Sequence, residues 1–115
     1  MIINSEGAAY LYEGNLYRIG ARVYANNESD YGGLYGRVFE ICDGEDKQTD
    51  NDGPDFFCAF DEPTDPAFRN QLEDRFSQLY GYPKTIEDLA LDCVIMAWDM
   101  IDLLPDGEKE GAICD

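Results

Sequence analysis

Residues 30 to 60 read "DYGGLYGRVFEICDGEDKQTDNDGPDFFCAF", two apolar, aromatic and β-branched runs joined by a loop crowded with acid. This stretch constrains the fold most. A run such as "LYGRVFEIC" alternates large apolar with polar or small side chains, which suits a half-buried strand and not a helix. "DFFCAF" repeats the signal after the loop and is stopped by Pro63. Two such runs around one loop predict an antiparallel pair, with Leu34, Val38 and Ile41 facing inward.

The preceding segment, "YLYEGNLYRIGARVYAN" from Tyr10 to Asn26, alternates around Glu13-Gly14-Asn15 and predicts a short hairpin followed by a further strand. Tyr17, Ile19 and Val23 are its inward residues. Asp65-Pro66 sets an N-cap and a proline at the first helical position. Phe68, Leu72, Phe76 and Leu79 follow at helical spacing, and Gly81 and Pro83 end the helix. Thr85 and Asp88 make a second helix start of capping-box type. From there two readings stand: a short helix over 85–91 with a closing strand over 92–98, which would hide a sheet edge, or one continuous helix over 85–104. The order predicts a single α+β domain over residues 1–105, with a flexible acidic tail over 106–115.

Eight basic residues against 25 acidic ones give a net charge of −17, while 44% of the chain is hydrophobic and fifteen residues are aromatic. Such a chain folds, because disordered acidic tails are poor in both apolar and aromatic residues. Its surface repels phosphate backbones and anionic membranes and attracts basic proteins. The expected partner is therefore the basic surface of another protein, with no direct nucleic acid and no membrane, and the expected state is a monomer or homodimer. No apolar run spans a bilayer, and "MIINSEGAAY" is unlike a signal peptide, so a cytoplasmic location is expected.

With no histidine, the commonest general base and every Ser-His or Cys-His nucleophile are absent, and the expectation is a protein that is not an enzyme. No cofactor is expected. The four cysteines lack C-x-x-C spacing, and Cys42, Cys58 and Cys93 lie in apolar runs, which favours buried free thiols over disulfides. The loop "DGEDKQTDNDGPD" fails as a calcium loop: aligned on Gly53, Gln48 falls where the first aspartate belongs and Ala59 where the bidentate glutamate belongs. No metal site is expected.

"RIGARVYAN…GLYGRVFEI" resembles the opening of an SH3-like barrel of the KOW type, with Gly33-x-x-Gly36-x-Val38 as its hairpin. The resemblance covers about residues 16 to 60. It implies a small antiparallel barrel or curled sheet with one or two helices inserted before the last element, and glycines where another backbone comes close. KOW modules often bind RNA through basic and aromatic surfaces; here Arg18, Arg22 and Arg37 are nearly the only basic residues in that region. The whole chain is similar in character to the small acidic proteins of phages and conjugative elements, among which anti-CRISPR and anti-restriction proteins are found.

Together these features predict an inhibitor that mimics nucleic-acid charge and occludes the basic groove of a defence enzyme such as a CRISPR effector nuclease. Asp43, Glu45, Asp46, Asp50, Asp52 and Asp55 are the expected phosphate mimics. Glu28 and Asp30 in the preceding turn would extend the row, with Tyr31 and Tyr35 as aromatic anchors or as ordinary strand packing. The alternative is an SH3-like adaptor of a mobile element that binds a basic partner in a local groove.

Overall fold

The strand β5 (Tyr35–Cys42) organises the protein, of which this computed structural model describes residues 1–104. Its first residues alternate as the sequence requires: Tyr35, Arg37 and Phe39 are exposed, and Gly36 and Val38 are buried. β6 (Asp55–Phe60) runs antiparallel along one side, with a register shift between Val38 and Glu40 that marks a bulge. On the other side β5 pairs with β4 (Arg22–Ala25) at its start and with β1 (Ile2–Ile3) at its end. β7 (Val94–Met96) extends the sheet beyond β6, and β8 (Ile101–Leu103) extends it beyond β4. The order is β7-β6-β5-β4-β8, and β2 (Ala9–Tyr12) and β3 (Asn15–Arg18) form a separate hairpin.

The α+β expectation holds, but among the described residues no barrel closes, because there β7 pairs only with β6 and β8 only with β4. The two edges are nevertheless tethered by four residues, 97–100, three of them wound into a 3-10 turn (Trp98–Met100). A flat five-stranded sheet would hold its edge strands about 19 Å apart, close to the most that five extended residue steps can span. A coiled tether cannot reach that far, so the sheet is curled.

The last third resolves as neither reading in full. Thr85 and Asp88 do form a reciprocal capping box, but it opens only a 3-10 turn, Ile86–Leu89. The strand over 92–98 contracts to Val94–Met96, and β8 was not anticipated. One continuous helix over 85–104 is excluded. Ala90 ends the turn in a left-handed conformation, and the chain then enters the sheet twice. The tail over 106–115 lies outside the described residues.

The helix α1 (Pro66–Tyr80) starts and stops where its sequence says: the Asp65 side chain accepts from Ala67 N, and Gly81 turns left-handed with φ 79°. Leu72 and Phe76 are buried, while Leu79, at the same helical spacing, is 55% exposed in the last turn beside the exposed Tyr80 and Tyr82. Phe68 packs against Gly33, where φ is +104° and an added Cβ would lie 2.6 Å from the ring tip, which leaves no room for a side chain. Gly36 is equally constrained, by the backbone of β6: an added Cβ would lie 2.8 Å from Phe60 Cα.

Tyr17, Ile19, Val23, Leu34, Val38 and Ile41 are all buried, and Ile41, an odd step from Val38, reaches the same face through the bulge between Val38 and Glu40. Cys42 and Cys58 are buried free thiols, but Cys93 is exposed, because its residue lies in the turn leading into β7 and not in the strand. Cys114 lies outside the described residues. No helix among the described residues is long and apolar enough to cross a membrane.

Candidate partner-binding surface

The acidic loop between β5 and β6 is a built structure. At its centre is Asp55, completely buried and the one charged side chain in the core among the described residues. It accepts from Gln48 N at 2.6 Å, Thr49 N at 3.1 Å, the Thr49 hydroxyl at 2.5 Å and Lys47 Nζ at 3.3 Å. Lys47 Nζ also donates to the carbonyls of Asn51 at 2.6 Å and Gly53 at 2.5 Å, so it ties both sides of the loop together. Burial pushes the Asp55 carboxyl up, but the bonds from Thr49, Gln48 and Lys47 outweigh it and hold the group below the ordinary carboxylate value. The expectation that Asp55 faces a partner is therefore corrected: a buried carboxylate with all its lone pairs engaged organises the loop and cannot reach outward.

Asp43 is half-buried and also occupied. It caps the 3-10 turn Gly44–Asp46 through Gly44 N at 2.8 Å and accepts from the Tyr10 hydroxyl at 2.5 Å. The Tyr10 bond, then the Gly44 bond, lower its pKa. Burial, then the bond to Asp43, pushes the Tyr10 hydroxyl up to about 12. Asp46 is exposed and pairs with the N-terminal ammonium. Glu45, Asp50 and Asp52 project into solvent and make no ion pair among the described residues. Among the described residues no group of three or more acids or cysteines is arranged to hold a metal ion.

Glu28 and Asp30 do not extend this row. They sit in the connection from β4 to β5, and the loop sits in the connection from β5 to β6, so the eight residues of β5 separate them by about 24 Å. A period-two pattern shows which face a residue takes; the end of the sheet follows from hairpin order, which puts successive connections at opposite ends. Tyr31 is not a surface anchor either. Its ring lies 4.8 Å from Phe76 and 6.3 Å from Phe60, within the packing between α1 and the sheet, and burial raises its pKa. Tyr35 is 48% exposed on the outer sheet face, 4.9 Å from Tyr24. That face also carries Arg22 opposite Arg37, so these cations lie along the strands and away from the loop end.

At the loop end the fold assembles a feature that the sequence reading missed. Tyr10 and Tyr12, two residues apart on β2, present the same face and stack at 6.3 Å. Trp98 closes on Tyr12 edge-on, at 5.8 Å and 64°. Gly53 admits them, since an added Cβ there would meet the Tyr12 hydroxyl at 2.5 Å and Trp98 Cδ1 at 3.1 Å. Tyr12 and Trp98 back a cleft of about 470 Å³ lined also by Glu13, Asn51, Asp52 and Asp99. The alternation of "AYLY" carries the Tyr10–Tyr12 pair. Nothing local brings Trp98 to it, because that contact depends on the tether between β7 and β8.

No protein family, curated protein or solved structure matches this chain. The geometry and charge of this surface therefore carry the functional reading.

Proposed function

We propose that the protein is a non-catalytic acidic inhibitor that occupies the basic nucleic-acid-binding groove of a bacterial defence enzyme, of the anti-CRISPR or anti-restriction kind, through its loop end. The observation that carries this is the unpaired charge. Among the described residues only three ion pairs form, Met1–Asp46, Lys47–Asp55 and Arg69–Glu62, so most of the acids among those residues have no cation there. The body measures 43 × 38 × 21 Å. Duplex DNA 43 Å long carries about 25 charges at one per ~1.7 Å, comparable to a net −17 on this chain. Glu45, Asp46, Asp50 and Asp52 stand on a loop fixed by the Asp55–Lys47 centre, which limits the ordering cost of binding.

The test is inhibition of, or binding to, a basic nucleic-acid enzyme by a variant with Glu45→Gln, Asp46→Asn, Asp50→Asn and Asp52→Asn. The control, with Asp61→Asn, Asp74→Asn, Glu87→Gln and Asp92→Asn, removes the same charge from exposed positions elsewhere. The loop variant is expected to associate more slowly and the control to behave as wild type. Equal loss in both reduces the mechanism to bulk charge, and no loss in either rejects mimicry. Micromolar binding of the wild type to DNA or RNA at physiological salt would also reject it.

A second reading, an SH3-like adaptor, draws on a different place. At the opposite end of the sheet Leu34, Tyr35, Pro63 and Phe68 line a cleft of about 390 Å³ with Arg22, Asp61 and Glu62 at its rim. An adaptor would take a peptide there, and the loop variant would leave its binding intact.

A further inference from the structure

We infer that the Tyr12–Trp98 cleft is an arginine pocket, which takes the guanidinium of a side chain presented by the partner; this rests on the inhibitor reading for the partner's basic character. The cleft joins two features that act on the same kind of ligand. Its floor is two aromatic rings whose centroids lie 5.8 Å apart with their planes at 64°, so a flat cation stacks on a ring face that this edge-on contact leaves open. Its rim is Glu13, Asp52 and Asp99, all exposed, and none of their side chains makes an ion pair or a hydrogen bond among the described residues. A planar group with five N–H donors satisfies both at once, stacking through its face and donating through its edge. An ammonium offers a single point charge and no face. The pocket is also pre-formed: Lys47 holds the Asn51 and Gly53 carbonyls, and Gly53 lies against both rings.

Glu13 adds to this. It takes the left-handed conformation, with φ 52°, in the tight turn between β2 and β3, and Gly14 follows with φ 82°. Asparagine or glycine suits the first of these positions better. A glutamate there gives up local comfort and places a carboxylate at the mouth of the cleft.

Trp98 is the sole tryptophan, so its indole N–H gives one resolved cross-peak in a ¹⁵N spectrum. The full chain would be titrated with the blocked tripeptide acetyl-Gly-Arg-Gly-amide and with its lysine counterpart. We expect a saturable shift of the indole peak with the arginine peptide and binding at least about threefold weaker with lysine. The combined Glu13→Gln, Asp52→Asn and Asp99→Asn variant should weaken arginine binding about tenfold. An equal neutralisation at Asp61, Asp74 and Glu87 should leave it within about twofold. An unmoved indole peak, equal binding of lysine, or equal loss in the two variants would overturn the pocket. The titration needs no partner, so the two readings fail separately. Arginine binding with an inhibition-neutral loop variant rejects the inhibitor function alone; no arginine binding with a loop variant that cannot inhibit rejects the pocket alone.

Discussion

Replacing Asp55 by asparagine should destabilise the protein far more than replacing any other acid in its loop. The native carboxylate accepts four bonds, two at each oxygen, and Lys47 is among the donors. An asparagine keeps one oxygen. If that oxygen serves Gln48 N and Thr49 N, the new amide group points its hydrogens at the Lys47 ammonium, which has only donors to offer. One charge-assisted bond is lost, a partly buried ammonium loses its counterion, and the new side chain cannot relax into water because position 55 is fully buried. Losing one partner of a buried pair costs roughly 3 to 5 kcal/mol, a large part of the stability of a domain this size. Urea unfolding followed by Trp98 fluorescence should show the midpoint fall by 1 M or more at unchanged slope, taking the slope as about 1 to 3 kcal/mol per molar. The effect should also depend on pH. The folded-state pKa of Asp55 is depressed, so its contribution is complete above the unfolded value of about 3.9 and is lost as pH falls through the lower folded value. Wild type and variant should therefore converge in stability in acid. A loss below about 1 kcal/mol at neutral pH, or a gap that widens in acid, would refute the assignment of Asp55 as the centre of the loop.

Two glycines separate steric from conformational cost. Gly36→Ala drives a methyl into the β6 backbone and should lower stability by roughly 2 kcal/mol or more in the same urea assay, whereas Gly44→Ala, with φ +66° and open space around it, should cost only about 1 kcal/mol. Cysteine accessibility follows burial: an aromatic disulfide reagent read out by peptide mass mapping should modify the exposed Cys93 in the native protein. It should reach Cys42 and Cys58, whose thiols burial pushes up to about 11 and about 12, only on unfolding.

The fold was legible where a residue's neighbours in sequence decide its environment. The alternation around Val38, the Asp65-Pro66 start of α1 and the Glu13-Gly14 turn are local facts, and the elements they imply are present. Legibility ended where an environment is assembled from distant segments. Asp55 reads like any other acid of its loop, and only the return of residues 47–49 over the start of β6 buries it. Tyr31 stands next to a turn, as a surface anchor would, but α1 folds back over it. Cys93 opens an apolar run, yet pairing begins one residue later, at Val94. Trp98 reaches Tyr12 only because the chain crosses between opposite edges of a curled sheet.

Salt should act in opposite directions on folding and on association. Among the described residues the core contains one charged side chain, and that one is paired, so the other acids described act on stability as a repelling surface and not as buried costs. Raising ionic strength shortens the Debye length to about 8 Å at 0.15 M and about 3 Å at 1 M, which screens repulsion between exposed carboxylates on different elements. The Lys47–Asp55 pair, with its fully buried carboxylate and partly buried ammonium, is screened less, so it gives little up in exchange. The melting temperature should therefore rise with sodium chloride over this range. The same screening removes the long-range attraction that brings an acidic loop to a basic groove, so the association rate should fall. Calorimetry and stopped-flow mixing across one salt series would measure both. A melting temperature that falls with salt would mean that surface ion pairs, and not repulsion, dominate the folded state. An association rate indifferent to salt would mean that the acids of the loop do not steer the encounter.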